Sequence, residues 1–393
     1  MSKIAIILAL PAEYNTSSML RCRAIINAIT DLGHIVKCYM PNPDKDSKYY
    51  SSVLNVKNVE IFRYGRIIQN GAFALEASTR SKSLKSKLKS LAYKIFKKLD
   101  VFGATLLYLP ERKRISEDIC KGDFDMMISF SDPMPAHMIG KYCKKHNRNI
   151  RYIQQWGDPL ASDTISKIAQ PVWLRKIIEN SLLKPAERIC YVSPFTTEEQ
   201  KQIFPRQAEK MIFLPTPSLE SNNGDGNRQT DRLCFGYFGS YNSVARNLIP
   251  FYNAAILNSD ADFLIIGDSD LEFKSVTNIQ VIQRVSQEEL SKYMEKIDVI
   301  VCLMNRKGNQ IPGKVYHDAS SNKDILFIKD GEYGDDIERF FMKYNHYTFV
   351  NNKVEDISNA IKNYQEMGVP VREPVAAFTA INIARELLAN VNN

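Results

Sequence analysis

Short β-branched and aliphatic runs alternate with amphipathic stretches along the whole chain, and the spacing inside each segment predicts its element. Residues 4–10 form a continuous apolar run, as a buried strand requires. Met19, Leu20, Cys22, Ile25, Ile26 and Ile29 then recur at helical spacing, and residues 35–39 return to a strand. Further strands are predicted at 59–64, 125–131, 151–156, 187–194, 211–215, 233–240, 262–268, 279–285, 297–301, 325–328 and 347–350. Helices are predicted after His137 to about residue 146, at 196–203, after Ser286, near 337–344, at 354–367 and at 374–391. Strands without polar alternation, separated by helices, belong to parallel sheets covered on both faces. The chain is therefore α/β. Residues 218–231 are polar and rich in Asn, Gly and Asp, a composition that makes a linker and no core. Two Rossmann-like domains follow, residues 1–220 and 232–370 joined by 221–231, with 371–393 as a last helical segment.

Composition adds little to that picture and charge adds one feature. With 393 residues, 44% hydrophobic and 24% charged, the chain is an ordinary globular protein with room for two cores. No apolar run reaches the length of a membrane span, and the opening run is too short, and too soon broken by Pro11, for a signal peptide. Seven cysteines without Cys-x-x-Cys spacing and five scattered histidines predict neither disulfides nor a metal site, as suits a cytoplasmic protein. Net charge is +8, and eleven basic residues against two acidic ones fall between Arg80 and Arg114. Within that stretch residues 82–99 carry leucines at helical spacing with lysines between them. Either this is a solvated lysine face, or it holds the protein to the anionic cytoplasmic face of a membrane. Nucleic acid is not expected as a partner, because no reading motif accompanies the charge.

The candidate chemistry centres on residues 305–328. Gly308, Pro312 and Gly313 mark a loop between two apolar strands, and the chain turns into a helix near Lys314. Backbone N–H groups and a cationic side chain would then meet at one anion site. A second loop of this kind enters at Gly239 and Ser240, with Arg246 on the following helix start. Asp158 closes a third, at the carboxyl end of the strand at 151–156. Asp158, followed by a proline, also suits a simple turn. Glu13, Asn15 and Thr16 follow the first strand and suit loop and cap roles as well as ligand contact.

The stretch Ile311, Pro312, Lys314, Tyr316, Ala319 and Lys323, leading into residues 325–328, resembles the I-P-x-K-x-Y-E-Y-x-A-x-G-K motif of GT-B glycosyltransferases. The likeness is to the retaining family-four type, bacterial surface-polysaccharide enzymes. His317 stands where that family has the glutamate that holds the donor ribose, Asp318 follows it, and Asn309 stands in place of the partner glutamate. The turn before His137 and the segment Trp156 to Pro159 resemble two more family motifs, with Gly157 where an arginine is usual. At the second-domain entry Arg246 takes the place of a basic residue that neutralises donor diphosphate, and Ser240 stands where a second is common.

This resemblance implies a GT-B fold, two Rossmann-like domains facing across a cleft with the C-terminal helix crossing back to the first. It implies transfer of a hexose from a nucleotide diphosphate, UDP favoured, to a hydroxyl of a glycan or lipid-linked glycan, with retention and without a metal or cofactor. Asp158, Lys314 and Arg246 would be catalytic. Gly239, Ser240, Arg284, Val285, Asn309, Gln310, Ile311, Pro312, Gly313, His317 and Asp318 would bind the donor, with Arg284 and Val285 framing the base through backbone atoms. Glu13, Asn15, Thr16 and His137 would bind the acceptor. A sugar-nucleotide epimerase of the same fold and a non-catalytic glycan-binding scaffold remain as alternatives.

Overall fold

A computed structural model describes residues 1–47, 49–52, 54, 56–65, 109–131, 134–162, 170–219 and 232–389. The lysine-rich helix expected at 82–99 and the linker at 221–231 lie outside these residues. The chain divides into two compact units, residues 1–215 with 380–393, and residues 216–379.

In the first unit the strands are β1 (Lys3–Ile7), β2 (Ile35–Pro41), β3 (Val59–Tyr64), β4 (Met126–Phe130), β5 (Arg151–Trp156), β6 (Arg188–Tyr191) and β7 (Met211–Phe213). They form one parallel sheet in the order β3-β2-β1-β4-β5-β6-β7. Helix α1 (Ser17–Asp31) is capped by Thr16, whose hydroxyl accepts the Met19 N–H, as its position before an apolar-periodic run predicts. The following helices are α2 (Arg112–Lys121), α3 (Pro135–His146), α4 (Val172–Leu183) and α5 (Pro194–Ile203). One apolar cluster joins α2, α3 and α4 to one face of the sheet. The other face carries α1 together with the chain's last helix, Ala380–Leu388.

The second unit repeats the plan with β8 (Cys234–Phe238), β9 (Asp262–Ile266), β10 (Ile279–Ile282), β11 (Val299–Leu303), β12 (Asp324–Lys329) and β13 (Tyr347–Asn351). Their order is β10-β9-β8-β11-β12-β13, again all parallel. Its helices are α6 (Ile249–Leu257), α7 (Gln287–Met294), α8 (Lys314–His317), α9 (Gly334–Met342) and α10 (Val354–Met367), and the last helix in the first unit is α11. Helix α7 opens on a capping box, Ser286 with Glu289, as the sequence predicts. Each sheet is doubly wound, and each reverses its winding between its first and fourth strands.

Three expectations shift. The helix at Lys314 is a single turn, continued only by a 3-10 turn at Asp318–Ser320. A single turn carries little of the macrodipole of a long helix. Arg246 is in the loop before α6, where its backbone pairs with Asn242 in a small bridge, and it is not on a helix start. The C-terminal helix begins at Ala380 and not near 374, because Val375 and Phe378 tie residues 370–379 to the second unit through Ala319 and Ser218.

Candidate functional site

Where a doubly wound sheet reverses direction, the loops at the carboxyl ends of the two flanking strands part and leave room for a ligand. In the second unit those loops are Gly239–Leu248, after β8, and Met304–Gly313, after β11. Two further loops close on them, Gly267–Asp270 after β9 and Gln283–Ser286 after β10.

Four hydrogen bonds knit these loops around Ser240. Arg284 donates from Nη2 to the Ser240 hydroxyl at 3.0 Å and from Nε to Asp268 at 2.8 Å. The Ser240 carbonyl accepts from Arg246 Nη1 at 3.4 Å and from the Tyr237 hydroxyl at 3.2 Å. Arg246 also donates from Nε to Asn305 Oδ1 at 2.8 Å, and the Asn305 amide donates to the Gln310 carbonyl at 3.2 Å. One chain of contacts thus runs from the β10 loop through Ser240 to the β11 loop. The β9 loop comes so near that a Cβ on Gly267 would lie 1.9 Å from the Gly239 carbonyl oxygen, so only glycine fits at 267.

Lys314 completes the cationic set. Its ammonium lies 3.1 Å from Asp318 Oδ2 and 5.3 Å from the centre of the Phe238 ring, at the end of β8. The Cys302 thiol, buried in β11, records the local field. Burial pushes its pKa up, Asp318 adds to the rise, and Lys314 and Arg246 oppose it. Two cations and one carboxylate therefore act on the same buried point. Gln310 presents a buried Oε1 without a hydrogen-bond partner among the described residues, an acceptor that a ligand hydroxyl would satisfy.

The donor-side residues expected from sequence lie on the loops after β8, β10 and β11 and on α8 with its 3-10 continuation. Ile311, Pro312 and His317 are buried; Asn309, Gly313, Asp318 and Val285 are half-buried. Arg284 is expected from sequence to act through its backbone, and its guanidinium bridges the Asp268 and Ser240 loops. Sequence reading left Asp268, Asn305 and Gly267 without roles. Asn305 was the most legible of them, a polar residue closing an apolar strand and opening the Gly-Pro loop.

The residues expected from sequence to meet the acceptor lie in the first unit and are less uniform. Asp158 is exposed at the end of β5. Its loop is pinned before it by the Gly157 N–H donating to Ser131 Oγ at 2.9 Å. After it, the Ala161 N–H donates to Glu179 Oε2 at 2.6 Å and Arg175 Nη1 donates to the Leu160 carbonyl at 3.0 Å. Glu179 is wholly buried, and burial pushes its carboxyl up to about 8 against the pull of the Ala161 and Leu160 N–H groups. Glu13 is ion-paired with Arg63, Asn15 accepts from Arg23 Nη2 at 2.9 Å, and Thr16 caps α1.

His137 is in the core, with no exposed surface. Its Nδ1 is 2.7 Å from Ser129 Oγ, and its ring lies against Trp156 with centroids 4.3 Å apart. Burial holds the imidazole down at about 3, so it is neutral at ordinary pH. Among the described residues no three His, Cys, Asp or Glu side chains converge as a metal site, and no helix is long and apolar enough to cross a membrane.

No protein-family model matches the chain, and no curated protein matches it. Solved structures do. A glycosyltransferase from Rickettsia africae ESF-5 is 13% identical, with a TM-score of 0.61 over 99% of this chain and 100% of that one. The lipopolysaccharide outer core galactosyltransferase WaaB in its apo form is 9% identical, with a TM-score of 0.55 over 98% and 97%. A putative UDP-N-acetylglucosamine 2-epimerase from Listeria monocytogenes is 8% identical, with a TM-score of 0.53 over 99% and 95%. At such identities the likeness is one of fold, which in this chain is two parallel sheets of seven and six strands. The chain has the GT-B fold.

Proposed function

We propose that this protein is a glycosyltransferase that moves a hexose from a nucleotide diphosphate, UDP favoured, to a hydroxyl of a glycan or lipid-linked glycan in bacterial surface-polysaccharide synthesis. The observation that carries the reading is the set of cations around the reversal of the second sheet: Arg246 on the loop after β8, Arg284 reaching Ser240 from the loop after β10, and Lys314 opening α8. Breaking the bond between the anomeric carbon and the diphosphate oxygen leaves negative charge on the leaving group. Fixed cations stabilise that charge without reorganising during the reaction. They do so here without a metal, and Lys314 shifts from Asp318 toward the phosphates as the donor enters. Gln310 Oε1 accepts a donor hydroxyl, and Asp158 orients the acceptor hydroxyl that takes the sugar. Retention at the anomeric carbon follows from the resemblance in the Ile311 to Lys323 stretch.

We place the enzyme in the cytoplasm, peripheral on the membrane's inner face through residues 80–114. Arg112, Lys113 and Arg114 are exposed on α2. On the same unit α4 exposes Trp173 to 64% and Ile177 to 60%, one turn apart, a pairing that interfacial helices use.

The epimerase that shares the fold keeps a second reading open, and one experiment separates the two. After incubation with single sugar nucleotides, a transferase releases nucleoside diphosphate faster when a glycan acceptor is added. An epimerase converts the sugar nucleotide with no acceptor, and a scaffold leaves every one unchanged.

A further inference from the structure

In the loop after β5, Gly157, Pro159, Leu160 and Ala161 are buried while Asp158 among them is exposed. Buried backbone has to find hydrogen-bond partners. Leu160 and Ala161 make no backbone–backbone hydrogen bond among the described residues, and side chains from α4 and α5 supply the partners instead. Arg175 on α4 donates to the Leu160 carbonyl at 3.0 Å, and Gln200 on α5 donates from Nε2 to the Ser162 hydroxyl at 2.9 Å. Between them Glu179 on α4 accepts the Ala161 N–H on Oε2 at 2.6 Å.

Glu179 has no exposed surface, and its two oxygens meet different surroundings. Oε2 faces the loop, whereas Oε1 is buried with no hydrogen-bond partner among the described residues. An ionised carboxylate accepts on both oxygens and is costly to bury with one of them bare. The contacts therefore suit a neutral carboxyl, and burial, which pushes the group up to about 8, acts in the same direction. Arg175 on the same helix pulls it down and Glu199 on α5 pushes it up. Tyr191 on β6 is itself raised by burial and by Glu179, so it carries no charge there. On α3, His137 is neutral in this range and Lys141 donates to Ser181.

We infer that Glu179 is a positioning residue: its neutral carboxyl keeps the loop at 157–162 closed with Asp158 in place, and loss of its proton to water opens the loop. A carboxylate is better hydrated than buried, so deprotonation and opening favour each other. The latch stands on the geometry of the first unit alone. Its consequence for an acceptor at Asp158 rests on the transferase reading.

The test is hydrogen exchange on the full chain from pH 5 to 9, read by mass spectrometry and corrected for the intrinsic rate. In the wild type, protection of the Leu160 and Ala161 amides should fall by up to about tenfold per pH unit and level off above about 8. It should stay below the protection of Ile128 in β4 throughout, as local opening requires. Glu179→Gln keeps the shape of the side chain and cannot ionise, so its protection should not vary with pH. Gln200→Ala leaves the titrating group untouched and should lower protection by one constant factor with the slope intact. A flat wild type, a slope in Glu179→Gln like that of the wild type, or protection equal to that of Ile128 overturns the inference. Transfer to a glycan acceptor separates the two parts. Turnover at pH 9 relative to pH 7 should be higher in Glu179→Gln than in the wild type, and equal ratios beside the expected exchange pattern would strike the role of Asp158 and not the latch.

Discussion

The guanidinium of Arg284 sits on the hydroxyl of Ser240, 3.0 Å away, although 44 residues separate them in sequence. Ser240 stands where the resembled family often carries a basic side chain. In this chain the loop after β10 brings a positive charge to that place from outside. Asp268 holds the arginine from its other side.

Replacing Arg284 by alanine should leave the fold nearly intact, since its ion pair with Asp268 is exposed and such pairs contribute about 0–1 kcal/mol. A hydrogen bond to a charged group is worth about 1.5–3 kcal/mol. Binding of the donor nucleotide should therefore weaken by about tenfold to a hundredfold, measured by calorimetric titration. Unchanged affinity would remove Arg284 from the site.

Gly267→Ala tests the packing beneath the same loop. Its Cβ would fall 1.9 Å from the Gly239 carbonyl oxygen, which is backbone and cannot swing aside. Overpacking of this sort costs about 1–3 kcal/mol. A lower melting temperature and loss of nucleotide stabilisation are expected together, read from one set of melting curves.

Asp158 is exposed, so Asp158→Asn should leave the protein folded. If this carboxylate serves the acceptor hydroxyl as a base, turnover should fall by about a hundredfold or more with donor affinity unchanged. Equal turnover in the variant would leave it a turn residue.

Glu179 gives a pH dependence with a definite sign. Burial pushes its carboxyl up to about 8 in the fold, above the ordinary value of 4.5. Between those pH values the folded state holds a proton that the unfolded chain has lost. Stability therefore falls as pH rises through that window and levels off above about 8, at a slope approaching 1.4 kcal/mol per pH unit. His137 acts on the acid side: held down near 3, it stabilises the fold fully above its ordinary value and loses that contribution as pH falls toward 3. Denaturant titrations of Glu179→Gln from pH 5 to 9 should lose the alkaline decline and keep the acid limb.

Much of the fold was legible because buried parallel strands and amphipathic helices carry strong local patterns. The sequence reading placed β3, β5 and α10 on their observed residues, and the Ser286 cap as well. The loops after β8 and β11 were legible from Gly239, Pro312 and Lys314. What stayed hidden was long-range. The Arg284 side chain reaches Ser240 through the register of β8, β9 and β10, which no local pattern reports. Gly267 looked like any strand-end glycine until Gly239 was seen against it. The burial of His137 depends on Trp156 and Tyr152 arriving from β5, so its histidine character said little about exposure.

The most direct measurement is a thermal-shift panel of UDP, GDP, CDP and ADP on the wild type, Lys314→Ala and Arg284→Ala. We expect UDP to stabilise the wild type by several degrees, an effect that ligand linkage makes proportional to the logarithm of its excess over Kd. Both variants should lose most of that shift. No stabilisation by any of the four, or an equal shift in all three proteins, would contradict a nucleotide site at these loops.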